Sequence, residues 1–297
     1  MINNADQRGM VLVIVLWIVT LLAVMAGGFA YSMRVETRLA TSAVERAQAR
    51  ALAEAGIVYA LAWQLDPNAQ QQWSPNGDPR EWEFGGERLR IQVTDAAGLV
   101  NLNSADAELL KLLLKTAGAE AGEQAQLAEA ILEWRGNASG LPLSHSANSG
   151  VAGQPGPKNA PFESLEELGQ IAGLNRNLYE QIARVSTVYS PHYGVNPQLA
   201  PAPVLRALGL DEQTVADYVQ GRTRAVAGGS PPTLPIGDNP AFFSQSRTNV
   251  YHIAVTAEMA AGTLVNIEAV LTLQGGYSAQ NLRRLAWREG MFAAAPP

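Results

Sequence analysis

No side chain between Met10 and Met33 carries a charge, and the run Met10–Tyr31 holds one clearly polar residue, Thr20. As a helix that run covers about 33 Å, enough to cross a hydrocarbon core of about 30 Å. A signal-sequence core is shorter, roughly 7–15 residues, and ends at a small-residue cleavage site. Here Ala26-Gly27-Gly28 lies inside the apolar run, so the segment reads as a membrane span. After the span the polarity changes but the helical pattern does not stop. Arg34–Leu65 contains no Pro and a single Gly, Gly56. Val35, Leu39, Ala43, Ala47, Ala51, Ala55, Val58, Ala62 and Leu65 recur at three- and four-residue steps, and Arg34, Arg38, Glu45, Arg46, Gln48 and Glu54 take the remaining positions. Such spacing predicts an amphipathic helix, stopped by Asp66-Pro67-Asn68. One helix of about 56 residues, half apolar and half amphipathic, is therefore expected from Met10 to Leu65, about 84 Å long. A helix that stays amphipathic outside a bilayer must pack against something. Charge does not orient it: Arg8 and the amino terminus flank one end, Arg34 and Arg38 the other.

Composition excludes several function classes. A net charge of −6 gives no bulk attraction to nucleic acid, whose binding depends on neutralising phosphates. The absence of cysteine rules out disulfides, thiolate metal sites and cysteine nucleophiles. The three histidines, His145, His192 and His252, are far apart and match no metal-ligand spacing. They read as solvated or packed side chains. No carboxylate pair stands out as a general acid and base, so no catalytic residue is nominated and the chain reads as a non-enzyme. Trp63 and Trp134 sit at helical spacing and are expected to be core anchors.

Beyond the long helix, Asp66–Pro79 reads as a turn region. Glu81–Phe84 and Arg88–Thr94 read as strands joined at Gly85-Gly86. Helices are expected over Ala107–Thr116, capped from Asn103-Ser104-Ala105-Asp106, and over Glu120–Gly136 with Leu127, Ile131 and Trp134 on one face. Asn137–Asn159 reads as a long loop. Ser164-Leu165-Glu166-Glu167 carries a capping-box pattern opening another helix. Asn175–Val185, Pro203–Leu208 and Asp211–Gln220 follow as helices, and Gly221–Asn239 as loop. Strand alternation returns at Thr248–Thr256, Gly262–Gln274 and Leu282–Arg288. The order is long helix, strands, helical block, strands, so a helical block is expected inside a sheet. Asn101-Leu102-Asn103-Ser104-Ala105 before one helix and Gly194-Val195-Asn196 before another look like imperfect copies of one unit. Both are similar to the start of a helix-hairpin-helix, or SAM-like, module.

The short polar leader ending in Gly9, the apolar run that starts directly at Met10 and its amphipathic continuation resemble a type IV prepilin-like chain. That resemblance implies cleavage by a membrane aspartyl prepilin peptidase between Gly9 and Met10, followed by methylation of the new terminus. The family usually has Glu at the fifth mature position, where this chain has Ile14. Nearly the whole chain further resembles the protein K family of type II secretion systems, the largest minor pseudopilins. The resemblance is carried by Gly9/Met10, Ile14, Val100-Asn101-Leu102-Asn103, Ala130-Ile131-Leu132-Glu133-Trp134-Arg135, Asn159–Leu168 and the second Val195-Asn196 unit.

The resemblance implies an α+β, pilin-like fold, its long N-terminal helix packed on an antiparallel sheet, with a large inserted all-α helix-hairpin-helix/SAM-like domain. The expected division is leader 1–9, membrane half of the helix 10–32, first pilin-like part 33–95, inserted domain 96–222, second pilin-like part 223–290 and disordered tail 291–297. Implied partners are the I- and J-type minor pseudopilins, the major pseudopilin and the prepilin peptidase. The implied location is the bacterial inner membrane, crossed once, with the N-terminus cytoplasmic, the bulk periplasmic and the processed chain at the pseudopilus tip. No nucleic-acid partner and no cofactor are expected. Family members can bind calcium at an acidic cluster after the Trp-Arg pair. Here Gly136-Asn137-Ala138-Ser139-Gly140 offers no carboxylate, and calcium needs six to eight oxygens that normally include several. Two other readings are a minor pilin of a type IV pilus and a membrane-anchored DNA-binding protein using the helix-hairpin-helix units.

Overall fold

The computed structural model describes residues 5–136, 157–226, 232–233, 239–259, 262–273 and 282–290. The long helix α1 runs without interruption over Ala5–Leu65. It extends beyond the expected span at its start, taking in Ala5–Gly9 of the leader. Asp66 breaks it, and the chain at once forms a short helix, α2 (Pro67–Gln72), where a turn region was expected. Proline suits a first helical position because the amide it lacks would have no partner there.

Five strands form one antiparallel sheet: β1 (Arg80–Phe84), β2 (Glu87–Asp95), β5 (Val250–Glu258), β6 (Leu264–Leu273) and β7 (Leu282–Glu289), ordered β1-β2-β5-β6-β7. The β1–β2 turn is made by Gly85 and Gly86, at φ 64° and 85°. Positive φ at both central residues is what a tight type I′ hairpin requires. The second half of α1 lies across β2, β5 and β6. Ala53, Ile57, Ala60 and Leu61 bury against Leu89, Ile91, Val93, Ile253, Val255 and Ile267. Strand alternation places Tyr251, Ile253 and Val255, with Ile267, Ala269 and Leu271, on this face, as the sequence pattern requires.

Gly56 sets how closely helix and sheet approach. A Cβ there would meet Val255 Cγ1 at 2.9 Å and Leu89 Cδ2 at 3.1 Å. Trp63 belongs to an aromatic cluster at the β1 edge. Tyr59 stacks on Trp82 at 4.2 Å between centroids, and the Arg80 guanidinium lies 4.7 Å from the Trp63 ring.

Between β2 and β5 the chain builds a separate helical block: β3 (Val100–Asn101), α3 (Ala107–Thr116), α4 (Gln124–Trp134), a 3-10 turn over Leu165–Gln170, α5 (Arg176–Val185), β4 (Ser186–Thr187), α6 (Ala202–Ala207) and α7 (Glu212–Val226). β3 and β4 pair in parallel. The block has its own core, formed by Leu110, Leu113, Ile131, Leu168, Ile182 and Leu205 among others. Two expected features differ. Ser164 does not cap a helix; the segment forms the 3-10 turn, and Glu167 is drawn instead to Trp134 Nε1 at 3.1 Å and the Glu163 amide at 2.9 Å. Of the expected loop Gly221–Asn239, the first six residues are helical, because α7 continues to Val226, and most of the rest lies outside the described residues. Gly221 is a contact point, not a helix stop: a Cβ there would lie 2.7 Å from Pro232 Cβ. Most of the expected loop Asn137–Asn159, with His145, and the tail 291–297 lie outside the described residues.

Candidate assembly interface

α1 has two apolar faces with different fates. One is buried on the sheet. The other, diametrically opposite by helical geometry, is formed by Ala40, Val44, Ala47, Ala51, Val58 and Ala62 and is open to solvent, with Val44 and Val58 more than half exposed. The steps of four, three, four, seven and four residues follow a heptad-like seam, and the one charge in its register is Glu54, between Ala51 and Val58. Alanine at most positions would let a second helix come close. Charges flank the seam. On one flank Arg50 pairs with Glu54 at 3.0 Å and with Glu289 of β7 at 3.2 Å; on the other Glu45 accepts from Thr263 at 3.2 Å. These contacts tie the solvent-side rim of α1 to the sheet and leave the seam free.

Toward the N-terminus the same helix is bare. Within Met10–Leu65, whose apolar part qualifies by length and hydropathy as a membrane span, the most hydropathic window buries nothing inside the chain. Its lone polar side chain, Thr20, returns its hydroxyl to the carbonyls of Leu16 and Trp17, each at 2.9 Å, so it presents no unpaired donor to lipid. Gly9, Met10 and Ile14 fall in consecutive turns of α1. Met10 and Ile14 share one face, both more than half exposed.

The paired asparagine units are related by structure as well as sequence. Asn101 Oδ1 accepts from the Asn103 amide and Asn196 Oδ1 from the Gln198 amide, each at 3.0 Å. Each side-chain amide then reaches a distant carbonyl: Asn101 Nδ2 to Ser190 at 2.7 Å, Asn196 Nδ2 to Ser246 at 2.8 Å. A buried arginine closes each unit. Arg135, after α4, donates to Leu102 and Ala105 carbonyls; Arg222, in α7, donates to Pro197, Gln198 and Ala200. The asparagines were visible in the sequence. The arginines sit 34 and 26 residues away (135 − 101 and 222 − 196), a spacing too irregular to read as a repeat.

Block and sheet meet through polar contacts around a small apolar patch of Ala96, Val250 and Val270. Asp95 accepts from Ala97 N at 2.8 Å and from the Thr248 hydroxyl at 2.5 Å. Its burial raises its pKa, opposed by those hydrogen bonds. His252 lies 3.0 Å from Thr187 Oγ1, and burial, together with the positive charge of Arg288, lowers its pKa to about 4. Arg288 itself bridges to Glu166 of the block. His192 touches the Arg247 carbonyl at 3.3 Å. Trp134 is buried, as expected of a core anchor. Arg135 turns inward to carbonyls, and Asn137–Gly140 lie outside the described residues. Among the described residues no cluster of three metal-ligating side chains occurs.

A long helix, half bare and half laid on an antiparallel sheet, with a helical block inserted between neighbouring strands, defines a pilin-like α+β fold with a large insertion. Residues 91–191 match the sequence model of the family described as type II secretion system (T2SS), protein K. The chain is 26% identical over 244 residues to the putative type II secretion system protein K of Escherichia coli (strain K12), covering 72% of this chain and 73% of that protein. It is 29% identical over 205 residues to type II secretion system protein K of Klebsiella pneumoniae, covering 60% and 62%. Its fold is similar to a chain in the crystal structure of the GspK-GspI-GspJ complex from enterotoxigenic E. coli, with a TM-score of 0.56 and 13% identity over 84% of this chain and 99% of that one. These findings bear out the resemblance to type II secretion system protein K and the pilin-like α+β fold it implies.

Proposed function

We propose that this chain is a minor pseudopilin that assembles with other minor pseudopilins, of I and J type, at the tip of a type II secretion pseudopilus, where it starts or caps the filament and supports protein export. The observation that carries the reading is the open seam Ala40–Ala62 on α1, opposite the sheet and continuous with an uncharged, unburied span. A helix with that surface needs lipid at one end and a partner helix at the other. The partners named with the fold relative are of the same kind. In this reading the chain waits in the inner membrane with its N-terminus cytoplasmic and its bulk periplasmic, and it acts as a structural subunit, not an enzyme.

Processing after Gly9 fits the local physics. Glycine costs about 1 kcal/mol relative to alanine in a helix, so Ala5–Gly9 is the end of α1 most easily unwound for a peptidase. Ile14 lacks the carboxylate that would pair with a neighbour's amino terminus, a group costly to hold in lipid without such a partner. A subunit without that pair, carrying a bulky block, suits the end of a filament better than its repeat. Neither a cofactor nor calcium enters this reading.

The test is co-purification of the full chain in detergent with I- and J-type partners. Val44→Arg and Ala51→Arg should abolish it while leaving the monomer's melting temperature within about 2 °C, since both sites are exposed. A folded variant that still co-purifies would sink the seam assignment. Gly9→Leu should leave unprocessed precursor on a gel.

The DNA-binding alternative gains nothing from the α6–α7 hairpin. Asp211 already accepts from the Thr214 amide at 2.9 Å and its hydroxyl at 2.6 Å. A phosphate approaching those amides would meet a carboxylate. Arg206 is paired with Glu212 at 2.6 Å, and Arg222 is buried.

A further inference from the structure

We infer that Arg34 and Arg38 form a site for anionic lipid headgroups, which fixes the depth of α1 in the bilayer before assembly. The inference rests on reading Met10–Met33 as membrane-spanning, and four observations carry it.

The first is position. α1 passes from apolar to amphipathic without a break, so depth follows from residue number at about 1.5 Å per residue. With Met10 at one edge of a hydrocarbon core of about 30 Å, the far edge falls near Ala30. Tyr31 then lies at the interface, where tyrosine is favoured. Arg34 lies about 6 Å beyond the core edge at Ala30, inside a headgroup layer about 5–7 Å deep. Arg38 sits one turn beyond and can reach back along its methylene stem.

The second is direction. Arg34 and Arg38 are four residues apart and share one stripe of the helix, while Glu36 faces away. Thr37 and Thr41, on the same stripe, return their hydroxyls to the Met33 and Thr37 carbonyls at 2.8 Å and 2.9 Å. The guanidiniums are therefore the stripe's strong outward donors. Their planar fork matches phosphate oxygens.

The third is the absence of a competing partner. Among the described residues neither arginine is in an ion pair, whereas Arg50, three turns on, is held by Glu54 and Glu289. The fourth is separation from the partner seam. The arginine stripe is about a quarter turn of helix from Val44 and Ala51. A partner helix on that seam leaves both guanidiniums pointing to its side, toward the membrane surface.

The test reconstitutes the full chain in nanodiscs of phosphatidylcholine with or without phosphatidylglycerol, then counts lipids retained on release by native mass spectrometry. Retention of phosphatidylglycerol over phosphatidylcholine is expected. It should fall about fivefold for Arg34→Gln or Arg38→Gln and about 25-fold for the pair, with Arg46→Gln, beyond the headgroups, unchanged. Inorganic phosphate at millimolar concentration should not displace the lipid; displacement would mean the site takes any phosphate and overturns the headgroup assignment. Equal retention by wild type and the double variant overturns it too. Loss of I- or J-type partner binding in lipid-free detergent by the double variant would instead assign the arginines to a protein contact. A chain that fails to enter nanodiscs at all would sink the membrane reading itself, a result distinct from insertion without lipid preference.

Discussion

Arg135 and Arg222 are both buried, and among the described residues neither guanidinium is hydrogen-bonded to a carboxylate; both donate to main-chain carbonyls. Burial lowers the pKa of each, countered mainly by the more distant charges of Asp106 and Asp78. Arg222→Met should strip three carbonyls of a donor and lower stability by about 3 kcal/mol, read as a fall in the urea midpoint at unchanged m-value. A shift within error would show the clamp to be dispensable. His252 gives a pH prediction. Its folded pKa of about 4 lies below the unfolded value of about 6.5. The unfolded chain therefore binds more protons between those values, and stability falls as pH drops through that window. Its share is on the order of 2 kcal/mol after allowing for its partial exposure. Asp95 and Glu268, whose pKa values are raised chiefly by burial, act in the opposite sense at the acid end. The clean measurement is the difference between wild type and His252→Gln from pH 7 to pH 4: the variant should show the flatter profile.

At the scale of elements, α1 is the part the others are arranged around. Gly56 and the exposed alanines do different things. Gly56 lets the helix settle on β2 and β5, and Gly56→Leu should force them apart at a cost of about 1–3 kcal/mol, lowering the melting temperature by about 2–4 °C per kcal/mol. Gly56→Ala should come out nearly neutral, because the gain in helix propensity of up to about 1 kcal/mol is set against a 2.9 Å approach to one valine methyl. The exposed alanines of the seam should tolerate such exchanges in the monomer and respond only in assembly. The two asparagine-arginine units show one local solution used twice: a side-chain turn at the entry of a helical hairpin, and a cation from the exit that satisfies the carbonyls the turn leaves over.

For the whole molecule, the decisive fact is that β2 and β5 are antiparallel neighbours, with Asp95 opposite Tyr251. The helical block therefore occupies the place of a hairpin turn. The sheet and the block have separate cores, so replacing residues 96–249 with an Asn-Gly turn should leave the long helix and sheet folded, as judged by circular dichroism and a cooperative melt. Loss of all tertiary structure would show the block to be part of the folding unit. If the block caps the filament, the shortened chain should alter filament length in cells.

Much of this was legible in the sequence because it depends on short-range chemistry. The uncharged run from Met10, the three- and four-residue apolar steps to Leu65, the Gly85-Gly86 hairpin and the alternation of β5 and β6 each report a local backbone preference combined with which face must leave water. The same patterns placed Trp134 in a core and marked Asn101 and Asn196 as a pair. What they could not give was decided by contacts between segments distant in the chain. The Ser164 side chain is hydrogen-bonded to Glu166 while Trp134 and the Glu163 amide hold Glu167; α7 runs through Gly221, with Pro232 close beside it; His252 lost its basicity because Thr187 of the block packs against it and burial disfavours its charged form. Above all, the apolar spacing in the sequence marked one face of α1, with Ala47, Ala51, Val58 and Ala62 in it, whereas the sheet covers Ala49, Ala53, Ile57, Ala60 and Leu61 and leaves those four exposed; the helical period shows that a face must leave water, and only the fold decides which one the sheet takes.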